Sequence, residues 1–309
     1  MSARAALVDE AGATIARGSK SFSLASRLFD RPTRERAWLL YAWCRACDDL
    51  ADGQELGHGA DSGADTRAGV AHLIAQTERA LAGEPTGEVP FDALRLVAAE
   101  CAIPHRLIRD HLEGFALDAR QWRPRSEADM LTYCYHVAGA VGCMMAVAMG
   151  VPPQREEVLD RACDLGIAFQ LANIARDLSE DDAIGRCYLP VEWLVEMDLP
   201  PGEHMKPPYR DRMGVLARRL AALAARYEAS GRAGAPALPF RSRWAVLAAA
   251  GIYGDIARQV ARRGAHAWDR RIVVGGGSKI GWIGKALLQA RAGDANNPSR
   301  AGLWTRPRS

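Results

Sequence analysis

Apolar residues fill long stretches of this chain without strict alternation, and Pro and Gly interrupt those stretches at intervals typical of helices. Strand-length runs of Val, Ile and Thr are almost absent while Ala abounds, so the pattern predicts an all-α chain. The expected helices are 4–17, 33–52, 65–82, 90–101, 105–121, 127–149, 155–182, 209–231, 239–264 and 278–291. Residues 53–69, rich in Gly and Asp, and 200–208, rich in Pro, read as surface connections. The segment 130–154 has no Asp, Glu, Lys or Arg and is long enough to span a bilayer. It nevertheless holds Thr132, Tyr133, Cys134, Tyr135, His136, Gly139 and Gly142, and its apolar part falls short of the ~20 residues a span needs. A buried helix is expected there.

Two helices combine apolar faces with a polar stripe. In 37–52, Tyr41, Arg45, Asp48 and Asp52 recur at i, i+4, i+7 and i+11, whereas Trp38, Leu39, Leu40, Trp43 and Leu50 demand burial elsewhere on the helix. In 162–182, Gln170, Asn173, Asp177 and Asp181 repeat that spacing, with Arg176 at the edge. Each stripe carries a D-x-x-x-D pair on one face. Two such helices opposed across a cavity form an oxygen-rich site, and buried acids need a cation. Mg²⁺ takes one or two carboxylates, keeps waters and completes its shell with phosphate oxygens, so the stripes predict a phosphorylated ligand. Asp49 points about 100° around the helix from Asp48 and is expected to support rather than coordinate.

Composition narrows the classes further. The 309 residues carry a net charge of +3 and are 49% hydrophobic, which excludes disorder, and the 40 basic residues form no block that would mark a nucleic-acid surface. The N-terminus lacks a secretory pattern, and the seven irregularly spaced cysteines suit reduced core thiols in a cytosol. Cys44 and Cys47 form a C-x-x-C with no second pair at zinc spacing. No two of the seven histidines stand four apart, which leaves zinc and Ser-His-Asp hydrolysis without support, and His136 is expected to be a hydrogen-bonded core residue. A single helical domain over 1–293 is expected, with 294–309 as a flexible tail.

The strings GSKSFS at Gly18, YAWCRACDD at Tyr41, YCYHVAGAVG at Tyr133, FQLANIARD at Phe169 and GRCYLP at Gly185 resemble the signature blocks of the squalene and phytoene synthase family, in the family's order. A looser likeness continues at Trp268 to Val273, and within the family the chain is most similar to bacterial phytoene synthases. The resemblance implies an all-α isoprenoid synthase (class I terpenoid synthase) fold around a central cavity. It also implies Mg²⁺ dependence, with Mn²⁺ as a substitute, two prenyl diphosphate substrates and no nicotinamide cofactor. Asp48, Asp52, Asn173, Asp177 and Asp181 would then hold metal. Ser19, Lys20, Ser21, Phe22, Arg45, Gln170, Asn173, Arg176, Arg186 and Arg270 would bind substrate, with Arg271 as the alternative to Arg270. Tyr41, Arg45, Tyr133, Arg176 and Tyr188 would act in catalysis, and Phe22, Tyr41, Tyr133, Phe169 and Tyr188 would wall a carbocation through cation–π attraction.

The small residues Ala138, Gly139, Ala140, Gly142 and Ala146 either leave room for polyprenyl chains or let helices pack closely. The expected reaction joins two geranylgeranyl diphosphates head to head through prephytoene diphosphate. The same chemistry on farnesyl diphosphate, giving squalene or dehydrosqualene, is the nearest rival. A non-catalytic assembly protein would show eroded acids, and here both pairs are intact. The lipophilic product implies peripheral membrane contact, possible only without a spanning helix, and neighbouring carotenoid enzymes as partners. The glycine cluster 275–281 matches neither G-x-G-x-x-G nor a P-loop and reads as a flexible loop before the last helix.

Overall fold

The computed structural model describes residues 3–18, 25–52, 66–292 and 298–308, with the backbone alone at 3, 18, 51, 52 and 66. Twelve α-helices stand among them. In chain order they are α1 (Ala3–Gly18), α2 (Arg31–Asp52), α3 (Thr66–Leu81), α4 (Val89–Cys101), α5 (His105–Ala119) and α6 (Glu127–Cys134), followed by α7 (Ala140–Ala148), α8 (Glu156–Ala183), α9 (Val191–Glu196), α10 (Arg210–Gly234), α11 (Phe240–Arg263) and α12 (Gly276–Ala292). No strand occurs among the described residues, as the sequence pattern predicts. The helix boundaries follow the expected ones closely. The short α9 was not anticipated, and most of the loop expected at 53–69 lies outside the described residues.

Helix α8 is the axis of the fold, with α7, α10 and α11 packed along it, while α1 to α5 pack on one another beside α7. Close approach of α8 to its neighbours depends on glycine. A Cβ on Gly166 would stand 2.3 Å from the Ala138 carbonyl oxygen, and one on Gly142 would stand 2.4 Å from that of Ala162. Across α8, Gly231 of α10 meets Leu165 in the same way, at 2.6 Å from its Cβ. The segment 130–154 is an interior element: Glu127–Ala148 is long and apolar enough to cross a membrane, yet 61% of its most apolar window is buried inside the fold.

That element opens with a capping box, in which the Ser126 hydroxyl accepts from the Asp129 N–H and the Asp129 carboxylate accepts from the Ser126 N–H. It is then interrupted by one π-helical turn, Tyr135–Gly139. The His111 imidazole donates to the His136 carbonyl at 3.0 Å, drawing that oxygen from the helical ladder. His136 in turn donates from Nδ1 to the Asp110 carbonyl at 2.7 Å, as a hydrogen-bonded core histidine should. Burial pushes the His111 pKa down to about 4, which keeps its ring a neutral donor.

Two expectations are corrected. The glycine cluster 275–281 is not a loop, because α12 begins at Gly276 and its first two turns contain three glycines. The tail expected to be flexible over 294–309 is docked over 298–308. Arg300 grips the fully buried Asp164 with two donors at 2.7 and 2.9 Å, and the fully buried Arg306 pairs with Glu156 and, at 3.0 Å, with Asp160. The Trp304 N–H donates to the Tyr227 hydroxyl at 2.9 Å and its ring leans on Tyr135. Arginine on buried carboxylate holds the segment more firmly than its Pro- and Arg-rich composition suggests.

Gly166→Ala should destabilise the protein by about 2 kcal/mol or more, because the added methyl meets backbone that cannot rotate away. Thermal unfolding of the variant against the parent measures this, and an unchanged midpoint would show that α7 and α8 do not pack as closely as described.

Candidate active site

A cavity of about 520 Å³ runs along α8 between α7, α10 and α11. Its wall takes from α8 the residues Ala162, Gly166, Phe169, Gln170, Asn173, Asp177 and Asp181. This stripe recurs every three or four residues and turns from small and apolar at one end to amide and acid at the other. Helix α2 contributes Asp48 to the same polar end, and Arg186 joins from the loop after α8. The deep end is lined by Met145, Met149, Val158 and Leu238. The site is therefore amphipathic along its length, suited to a ligand with a charged head and a long apolar chain.

The two acid-bearing stripes come together at one mouth, as the sequence predicts. Burial, then the neighbouring negative charge of Asp177, pushes the Asp181 carboxyl up to about 7. Asp177 takes both donors of Arg176, with Nε at 2.7 Å, and Arg271 adds a contact at 2.8 Å. On α2, Arg45 donates to Asp49 at 2.6 and 3.1 Å and stands 3.7 Å from Asp48, so Asp49 orders the arginine, in the supporting role its angle predicts. Asp52 ends α2, and its side chain lies outside the described residues, as do Ser19, Lys20, Ser21 and Phe22.

The donor set fits a hard divalent cation. Asp48, Asp177, Asp181 and the Asn173 amide supply oxygens, and the raised Asp181 carboxyl marks a place short of positive charge. No group of three His, Cys, Asp or Glu side chains among the described residues is close enough to hold a metal alone. That spacing suits ions that share their shell with water and phosphate oxygens, not a closed structural site. The Asn173 amide donates weakly to the Gln170 side chain, at 3.5 Å, which leaves its carbonyl oxygen available to a cation.

Tyr133 and Tyr188 are stacked with centroids 4.7 Å apart, and both hydroxyls donate to Asp118, at 2.9 and 3.0 Å. Burial, reinforced by the Asp118 charge, holds both phenols well above the usual range. Phe169 stacks on Tyr253 at 4.3 Å, so α11 adds an aromatic wall. Ala138, Gly142 and Ala146 line the cavity, whereas Gly139 packs on Cys163 and Tyr135; Gly142 serves both ends, making room and allowing close packing. Tyr41, Arg45 and Arg176 are partly buried and are not among the residues that line the cavity; Arg45 and Arg176 reach it only through the acids they pair with.

Sequence reasoning missed Asp118, Tyr253 and the choice between two arginines. Asp118 follows Leu107, His111 and Phe115 on the buried face of α5, and an acid continuing an apolar stripe is the signal that marks it. Arg270 is exposed and makes no ion pair with the described acids, whereas Arg271 reaches Asp177 and Glu180. A third acid pair at i, i+4, Asp160 and Asp164 of α8, is bound by the C-terminal arginines and takes no part in the cavity wall.

The comparisons with known proteins agree with this geometry. The family model described as Squalene/phytoene synthase matches residues 15–277. The chain is 44% identical to a phytoene synthase of Pseudescherichia vulneris, over 97% of this chain and 98% of that one. It is 43% identical to the 15-cis-phytoene synthase of Pantoea ananas over the same shares of the two chains. Among solved structures, a dehydrosqualene synthase crystallised with ligand superposes with a TM-score of 0.83 at 25% identity, covering 94% of this chain and 98% of that one. The squalene synthase HpnC from Alicyclobacillus acidocaldarius shares the fold, with a TM-score of 0.71 at 23% identity over 84% of this chain and 94% of its own. With the all-α isoprenoid synthase fold, acids from two helices at one cavity mouth and a match over most of its length, the chain belongs to the squalene/phytoene synthase family.

Proposed function

We propose that the protein is a prenyltransferase that condenses two geranylgeranyl diphosphates head to head to phytoene, in the carotenoid branch of isoprenoid metabolism. One observation carries the reading: Asp48 of one helix and Asp177 and Asp181 of another line the polar end of an apolar cavity, in a chain like bacterial phytoene synthases over nearly its full length. Ionisation of the first diphosphate yields a C1 cation, which the C2–C3 alkene of the second attacks, and loss of a proton closes the cyclopropane ring of prephytoene diphosphate. A second ionisation, rearrangement and proton loss give phytoene. Mg²⁺, or Mn²⁺ in its place, supplies the positive charge that stabilises departing diphosphate more in the transition state than in the ground state.

The chain's own residues divide the remaining work. Asp48, Asp52, Asp177, Asp181 and Asn173 present oxygens to the ions, and the guanidinium groups of Arg45, Arg176, Arg186 and Arg271 offer paired donors to phosphate oxygens. Gln170 binds at the same end, Tyr133, Tyr188, Phe169 and Tyr253 form a π-rich wall, and the family resemblance assigns Ser19, Lys20, Ser21 and Phe22, which lie outside the described residues, to substrate binding. The apolar wall excludes water that would quench a cation. Asp118 holds the hydroxyls of Tyr133 and Tyr188 in place and protonated. The enzyme works in the cytoplasm with peripheral membrane contact, where its product and neighbouring carotenoid enzymes reside.

Purified protein given Mg²⁺ and C20 diphosphate without NADPH should form phytoene, EDTA should stop the reaction and Mg²⁺ should restore it. A C30 hydrocarbon formed preferentially from C15 diphosphate, or a reduced product made only with NADPH, would replace this reading with that of a squalene or dehydrosqualene synthase.

Asp181 makes opposite predictions for activity and stability. Its carboxyl holds a proton up to about pH 7, whereas the unfolded chain releases it near the ordinary value of 3.8. The metal-free folded state therefore binds the extra proton in that window, and stability falls as pH rises from about 4 to about 7. Asp181→Asn removes this cost, so in EDTA at pH 8 its melting temperature should exceed the parent's by about 1–3 °C. Its turnover with Mg²⁺ should fall by about 100-fold or more, since an oxygen ligand and its charge are lost. A lower melting temperature together with parental turnover would remove Asp181 from the metal site.

A further inference from the structure

We infer that the outward face of α12 docks on a bilayer surface carrying anionic lipid, which gives the proposed peripheral membrane contact a definite place on the molecule. Ile280 and Leu288 are 70% and 67% exposed, and Val273, in the approach to α12, is 70% exposed. On a helix, Ile280, Gly284 and Leu288 fall at i, i+4 and i+8 and form one stripe about 12 Å long. Gly277 and Gly281 continue it. A Cβ at Gly277, Gly281 or Gly284 would meet nothing within 4 Å.

Those glycines answer no packing need inside the fold, and each costs a helix about 0.5–1 kcal/mol relative to alanine. They keep the backbone of the stripe bare, so that a flat surface can approach it. The opposite face of α12 is firmly seated: Trp282 fills the space left by Gly251 on α11, and Ala286 and Ala290 are buried. The stripe is therefore a fixed feature of the surface.

Charge selects the occupant. Residues 270–292 contain five cations, Arg270, Arg271, Lys279, Lys285 and Arg291, and no acid. On this helix Lys285 flanks the stripe and Arg291 stands at its end, whereas Lys279 lies about 150° around the helix, toward Trp282 and the buried alanines. An exposed apolar stripe bordered by cations, with no acid beside it, is the pattern of a helix lying in the headgroup region of an anionic bilayer. The other apolar helix face exposed to this degree, Val191 and Val195 on α9, alternates with Glu192 and Glu196, whose charge an anionic surface would repel. Position adds a reason. Helix α11, on which α12 lies, lines the apolar cavity with Val246, Ala249 and Tyr253, and Arg271 reaches the acids at the mouth. The bilayer surface would thus lie one helix away from the space that holds a lipophilic chain.

The test is flotation of the full chain, without substrate, with vesicles of about 70% phosphatidylcholine and 30% phosphatidylglycerol, compared with phosphatidylcholine alone. The parent should partition to the anionic vesicles and be released by salt. Ile280→Asn with Leu288→Asn, and separately Lys285→Gln with Arg291→Gln, should each lower partition by about tenfold or more. Circular dichroism and turnover in detergent micelles should match the parent's. Parental partition by both double variants would overturn the inference, as would a stable dimer that the variants dissociate without loss of vesicle binding, which would assign the face to a second copy of the chain. Because partition is read without substrate, failure to make a hydrocarbon would count against the proposed reaction alone.

Discussion

Carboxylates gathered at the end of an apolar cavity repel one another and lack water to screen them, and the rest of this structure is arranged around that unfavourable charge. Asp181 shows the cost directly, in a carboxyl raised to about 7 by burial and by Asp177. Arginines meet part of it. Arg176 and Arg271 pair with Asp177, and Arg45 holds Asp49 beside Asp48. The acids are not neutralised outright, since a fully paired set would have no affinity left for a cation. What remains is a negative mouth beside apolar walls, a combination that favours a divalent ion accompanied by phosphate and tethered to hydrocarbon.

The cavity exists because one helix approaches its neighbours closely on some faces and stands away on another. Gly166 of α8 and Gly142 of α7 bring backbone against backbone, and Gly231 does the same from α10. The π turn at Tyr135–Gly139 inserts an extra residue in this region, fixed by the hydrogen bonds of His111 and His136. Such a turn shifts the residues beyond it around the helix, so that Val137, Ala138 and Val141 all reach the cavity wall. Small residues thus perform two tasks that sequence alone leaves undivided, and Gly142 performs both.

The helices and the polar stripes were legible because period and composition carry them: every long helix follows an apolar pattern, and the acids of α2 and α8 repeat at i and i+4. What could not be read is which acid pair faces which partner. Asp160 and Asp164 have the same spacing on the same helix as Asp177 and Asp181, yet they bind Arg300 and Arg306. The difference depends on a contact nearly 150 residues away in sequence. The docked C-terminal segment, rich in Pro and Arg, looked loose for the same reason: its stability comes from buried acids on another element. Asp118 escaped notice because no acid stands three or four residues from it, and its meaning appears only when Tyr133 and Tyr188 are brought to it by separate elements.

That trio joins the polar and apolar parts of the site. For the proposed chemistry, a cation must form beside aromatic rings without being trapped by them. A phenolate next to an allylic cation would be alkylated, and its negative charge would hold the cation in one place. Burial and the Asp118 carboxylate both oppose ionisation of Tyr133 and Tyr188, so each presents a π face and a neutral hydroxyl. The negative charge in this region belongs to Asp118, which accepts from both hydroxyls and itself lines the cavity, so it stabilises a cation there without offering the tyrosine oxygens as nucleophiles. Stacking at 4.7 Å keeps the two rings parallel, and Trp122 extends the stack behind Tyr133 at 5.9 Å. The same carboxylate that raises the phenols' pKa therefore also holds their rings in register. A site that must generate positive charge next to electron-rich groups needs both effects from one residue, because a separate base near either hydroxyl would restore the phenolate.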